Sequence, residues 1–189
     1  GSKAEMALPD GTFVHLNAAT NLEYDVNNSK QRLVKLSGEA FFDVAKNPDC
    51  PFKVIINDLQ IEVVGTSFNV KTYKKDIVET SLLSGRIRIS GGSLPHEYTL
   101  SPGQKATYSA MDRTLRISKA DAHVEAGWRD NYLIFESTPL IDVIAQIERW
   151  YGVEIRLHHK QIAQDLLSGS FRNESIQNVI RTLSIQYGF

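Results

Sequence analysis

Five groups of residues have types that could do chemistry, and none has the spacing that chemistry needs. His158-His159 comes nearest to a metal motif. Adjacent residues leaving a strand point to opposite sides, so one ion cannot easily take both. No cysteine or carboxylate pair stands at zinc-site spacing, so no metal site is expected. Asp121, His123, Glu125 and Asp130 form a loose polar cluster without a nucleophile at a defined spacing, and they read as a solvated linker. Glu39 follows a glycine and reads as a structural acceptor for nearby backbone rather than a ligand group. Cys50 is the only cysteine, so no intrachain disulfide can form, and neither a base nor a helix N-terminus is apparent beside it. Tyr24, Tyr73, Tyr98 and Tyr108 could stack on sugar rings, which supports an alternative reading as a carbohydrate- or ligand-binding module. Scattered strand aromatics are more often core or cross-strand pairs. The chain has no nucleophile elbow, phosphate loop or dinucleotide fingerprint. The expectation is a protein that binds and transmits, not an enzyme, with no cofactor.

The composition agrees. The 189 residues carry 42% hydrophobic and 23% charged side chains, ordinary for a globular protein. A net charge of −1 gives no long-range pull toward nucleic acid or an anionic membrane. Lys71, Lys74 and Lys75 read as a solvated strand end. No apolar stretch approaches the ~18 residues that span a bilayer.

The elements that must position these residues change near residue 130. Before it, a strand-glycine-strand phrase recurs at Gly11, Gly38, Gly65, Gly85 and Gly103, with spacings of 27, 27, 20 and 18. That is too irregular for a strict solenoid. It predicts an all-β domain over 3–127, a sandwich or irregular β-roll of short strands, each glycine supplying positive φ or room for a bend. Strand signals run over 35–44, 51–64 and 80–90, and no helix-length amphipathic run precedes residue 137.

After it, residues 131–189 predict a small α/β domain of two strand-helix-strand halves. Tyr132–Phe135 reads as a strand. Thr138 can cap a helix whose first residue is Pro139. Leu140, Val143, Ile144, Ile147 and Tyr151 share one face, and Gly152 ends the helix. Val153–Leu157 alternates as a strand does. A shift of 36 places Phe171 on Phe135, Val179 on Val143, Leu183 on Ile147 and Tyr187 on Tyr151. Asn173 then caps the second helix. Phe189 corresponds to Val153, so the closing strand of the second half is expected to be missing, leaving an open sheet edge. Trp128 is a candidate for the junction between the two parts.

Taken in order, the phrases Leu8-Pro-Asp-Gly-Thr-Phe-Val, Leu36-Ser-Gly-Glu-Ala-Phe-Phe-Asp-Val44, Val64-Gly-Thr-Ser-Phe-Asn-Val70, Leu100-Ser-Pro-Gly-Gln-Lys-Ala106 and Glu148-Arg-Trp-Tyr-Gly-Val153 resemble the periplasmic region of a FecR-like anti-sigma factor of the Bacteroidetes type. The resemblance covers nearly the whole chain. It implies a C-terminal part like the secretin/TonB short N-terminal fold. It also implies a periplasmic location in a protein anchored in the inner membrane. The partner would be the periplasmic signalling domain of a TonB-dependent outer-membrane transporter. An extracytoplasmic-function sigma factor would be held only through an absent cytoplasmic segment, and the membrane met only through an absent transmembrane helix. For partner contact the expected residues are Arg149, Trp150, Arg156 and Arg172, because Trp and Arg are enriched in binding hot spots and these lie near helix ends or strand faces.

Overall fold

The computed structural model describes residues 1–24, 31–157 and 160–187. Two compact units emerge, one of Lys3–Glu125 and one of Ala126–Phe189 with Gly1–Ser2.

The first unit is built of short strands. In chain order they are β1 (Ala4–Ala7), β2 (Phe13–Leu16), β3 (Asn21–Tyr24), β4 (Arg32–Ser37), β5 (Glu39–Asp43), β6 (Phe52–Ile56) and β7 (Leu59–Val63). Then follow β8 (Ser67–Lys71), β9 (Ile77–Ser84), β10 (Ile87–Gly91), β11 (Tyr98–Leu100), β12 (Gln104–Ser109) and β13 (Thr114–Lys119). Among the described residues they form two sheets, ordered β1-β2-β5-β8-β9-β12-β13 and β11-β10-β7-β6-β4-β3. Each sheet therefore takes up its strands in strict chain order. The two layers share one core. Phe42 stacks on Phe68 of its own sheet (5.2 Å) and meets Phe52 of the other (5.9 Å), and all three are buried. Alternation dictates this arrangement: Phe52, Val54 and Ile56 of β6, and Leu59, Ile61 and Val63 of β7, all point inward.

The recurring glycine phrase now has a physical meaning. Gly38, Gly65, Gly85 and Gly103 each stand where the chain leaves one sheet for the other, and Gly11 sits in the β1–β2 hairpin. Two of these corners share one device. At Gly38 (φ +115°) a Cβ would lie 2.5 Å from Thr20 Oγ1, and at Gly85 (φ +89°) 2.7 Å from Thr66 Oγ1. The same hydroxyls donate to the carbonyl just beyond the glycine, Thr20 to Glu39 (3.1 Å) and Thr66 to Arg86 (3.1 Å). The expected strands over 35–44 and 80–90 are each cut in two at these corners, because a residue at positive φ ends the ladder.

A five-residue helix, α1 (Ala122–Ala126), follows β13, and a 3-10 turn over Gly127–Asp130 leads on, holding the buried Trp128. The second unit continues with β14 (Tyr132–Pro139), α2 (Leu140–Tyr151), β15 (Leu166–Arg172) and α3 (Ile176–Tyr187). The two helices are related by the 36-residue shift at both ends. Their inward residues make a separate core, with Val143, Ile147, Val179 and Leu183 buried beside Leu133, Phe135 and Leu167. None of the described helices is long and apolar enough to cross a membrane.

Three local expectations are corrected. Val153–Leu157 forms no ladder, although its alternation is real: Ile155 and Leu157 pack on the core. The Ile155 N–H goes instead to Glu148 Oε1 (2.7 Å), which keeps the segment on α2. Pro139 occupies the cap position of α2, not its first turn, because β14 runs through an irregularity at 135–138 to pair Pro139 with Leu166. The Thr138 hydroxyl folds back on Glu136, and the first helical N–H, of Leu140, finds Asp165 O (2.8 Å). Asn173 bends the chain at φ 51° rather than capping α3. The helix starts later, where Ser175 Oγ accepts from Asn178 N (3.2 Å). Gly152 caps α2 as expected, with φ 70° and its N–H on Glu148 O. Gly188 and Phe189, where the second helix is expected to stop and its closing strand to begin, lie outside the described residues.

Candidate partner-binding surface

The four expected contact residues all belong to the second unit, and the structure brings three of them to one end of it. Arg149 and Trp150 occupy the last turn of α2, where Arg149 suits the negative end of the helix dipole. Next along the helix, the Tyr151 hydroxyl donates to Glu174 O (2.8 Å). That bond ties the end of α2 to the loop that follows Arg172. Burial and then the nearby Glu174 carboxylate raise the pKa of Tyr151, so it stays a neutral donor. Arg172 closes β15 and is exposed. Its guanidinium lies over the Tyr132 ring, 4.7 Å from the centroid, with Tyr132 its partner across the strands. A planar cation on an aromatic face is held in place yet keeps its donors for a partner.

Trp150 is half-buried and packs against the core of this unit. Its carbonyl accepts from the Gly1 ammonium (2.6 Å). Arg156 stands apart, exposed on the extended segment and paired with Glu154 (3.0 Å).

Sequence reasoning missed a groove between β15 and α3. Phe171, Glu174, Asn178, Arg181, Thr182 and Ile185 line an open hollow of about 360 Å³. Among them, Phe171 stands edge-on to Phe135 (6.4 Å). One signal could have found it: Ile185 lies off the apolar face of α3 and is 76% exposed. Shifted back by 36, it corresponds to Arg149.

The other candidates are placed elsewhere. Glu39 is buried, and its carboxylate accepts from the side chains of Asn17 (2.7 Å) and Asn69 (2.9 Å), rather than from backbone as expected. Asp121 caps α1 through the His123 N–H (2.8 Å), and Glu125 pairs with Lys105. Cys50 lends its carbonyl to Arg32 Nε (2.6 Å). The four tyrosines do not converge. Tyr24 and Tyr98 lie on β3 and β11, at opposite edges of one sheet. Tyr108 is buried, donating to Gly92 O, and Tyr73 donates to Ala18 O (2.5 Å). Among the described residues no cluster of His, Cys, Asp and Glu is placed to hold a metal ion, and His158 and His159 lie outside them.

Residues 1–88 match the family model for FecR protein, and residues 132–189 match that for FecR, C-terminal. Two crystal structures of a candidate anti-sigma factor from Parabacteroides distasonis superpose on all of this chain at 31% identity. They give TM-scores of 0.89 and 0.88 and are covered over 89% and 88% of their own length. No curated protein matches.

Proposed function

We propose, because the chain belongs to the FecR family, that it is the signal-receiving region of an anti-sigma factor. In this reading it works in the periplasm, by protein contact and without catalysis. It relays substrate occupancy of a TonB-dependent outer-membrane transporter toward an extracytoplasmic-function sigma factor. The observation that carries the regulatory role is the full-length likeness, at 31% identity, to a candidate anti-sigma factor. Two features of the second unit support this reading. Arg172 is presented over the Tyr132 ring, and a separate groove lined by Phe171 and α3 carries mixed charge from Glu174 and Arg181. Arginine is among the side chains most enriched in binding hot spots.

The test is calorimetric titration of this chain with the periplasmic signalling domain of the transporter encoded beside it. Saturable binding at about micromolar Kd or tighter is expected. Arg172→Ala should weaken it about tenfold or more without changing the unfolding midpoint. Trp150→Ala is a poorer probe, since truncating a side chain that packs on the core also costs stability. Two folded partners that do not bind would overturn the relay.

A further inference from the structure

One row of charges on the first unit is not used by the surface above. Lys71, Glu79, Lys105 and Glu125 alternate in sign along it. Lys105 projects from β12, with Nζ 3.2 Å from Glu79 Oε1 on β9 and 2.9 Å from Glu125 Oε1 on α1. Lys71 on β8 extends the row to Glu79 at 3.9 Å. The row thus crosses three neighbouring strands of the seven-stranded sheet and ends on the helix through which the chain leaves it.

That helix cannot stand alone. It has five residues, about one turn, far below the length at which an isolated helix is stable in water. Locally, Asp121 accepts the His123 and Glu125 N–H groups, and Ala120 N reaches Gly103 O (2.8 Å). The Lys105–Glu125 pair ties the helix to the sheet through side chains (2.9 Å). Burial works against the Lys105 charge, and the Glu79 and Glu125 carboxylates outweigh it, holding the ammonium above the usual lysine pKa. The pair therefore persists across neutral pH.

We propose that Lys105 is a strap. It clasps the one-turn exit helix to the seven-stranded sheet, so that the chain leaves the first unit at a fixed place, and it lets go when ionic strength rises or either carboxylate-ammonium member is lost. Glu79 supports the clasp by aiming Lys105, while Glu125 is the group actually held.

Amide hydrogen exchange of the whole chain tests this at His123 and Glu125, with Val54, Ile61 and Ala106 as core references. Glu125→Gln and Lys105→Met should each speed exchange at the two helix amides about fivefold, with the core amides unchanged. Raising salt to about 1 M should loosen the parent helix in the same direction. Glu79→Gln, which leaves the Lys105–Glu125 pair intact, should change the helix amides by less than about twofold. Unchanged helix amides in Glu125→Gln overturn the strap. So does equal loosening of helix and core in both glutamate variants, which would make the row a support of the sheet alone. Should Lys105→Met fail to fold, Glu125→Gln and the salt series decide.

Discussion

Arg32 shows what a buried charge demands of its neighbours. It is 5% exposed. Its guanidinium donates to Cys50 O (2.6 Å), Ala45 O (2.7 Å), Asn47 O (3.3 Å) and Asp10 Oδ2 (3.1 Å), and lies 5.8 Å from the Phe52 ring. One side chain thereby satisfies three loop carbonyls and a carboxylate. Arg32→Met should lower stability by about 3–5 kcal/mol in urea unfolding, since it leaves Asp10 charged and the carbonyls unpaired. Arg32→Lys should restore only part, because an ammonium lacks the planar fork. Lys3 makes the opposite case. Burial pushes it down to about 8, against the pull of Glu39. Between pH 8 and the ordinary lysine value of 10.5 the unfolded chain holds the proton that the folded chain has lost. Folding therefore gains stability as pH rises through that window, and the gain is lost as pH falls through 8. The stability of the parent relative to Lys3→Met should increase from about pH 7.5 to about pH 10, and a pH-independent difference would refute it. Neither residue announces its role in the sequence. Arg32 opens an ordinary strand, and its acceptors are carbonyls, which every residue has.

At the scale of elements, the corners carry the most specific chemistry. Gly85→Ala places a methyl against Thr66 Oγ1 and Gly65 O at positive φ. The expected loss is about 2 kcal/mol or more. Thr66→Val, which removes the donor to Arg86 O but keeps the shape, should cost about 1 kcal/mol. Calorimetric melting of both variants checks the order. The glycine phrase was legible as a repeated bend, yet the threonine 18 or 19 residues earlier was not, because it meets the corner across a strand rather than along the chain. The helices were legible for the converse reason. Helical contacts lie three and four residues apart, so the apolar stripes of α2 and α3 and their 36-residue shift can be read directly. What failed was local: the cap at Asn173 moved to Ser175, and Val153–Leu157 kept its alternation without a ladder. Alternation reports which face is buried, not whether backbone groups find a strand.

For the molecule as a whole, the two cores differ in size. The first unit buries aromatic and branched residues from two facing sheets, while the core of the second has nine buried side chains among the described residues. Exchange protection should accordingly be lower over 132–187 than over 32–109, and the second unit should lose structure at lower urea. Equal protection in both would contradict this. The division into two kinds of structure was visible because hydrophobic periodicity changes from two to 3.6 near residue 130. The groove between β15 and α3 was not legible, because residues of both elements line it and no single segment contains it.

The strict chain order of strands in both sheets has one more consequence. As the chain advances, it adds to one layer, crosses a corner and adds to the other, so both layers lengthen in the same direction. Such a body behaves as a row rather than a closed ball. Order can start at any station and spread to its neighbours, and the cost of the next strand is met by the strand just laid down. The two ends, at β1 with β3 and at β11 with β13, are then the places that fray first. They are also the places where evolution could add or remove a pair of strands without rewriting the middle.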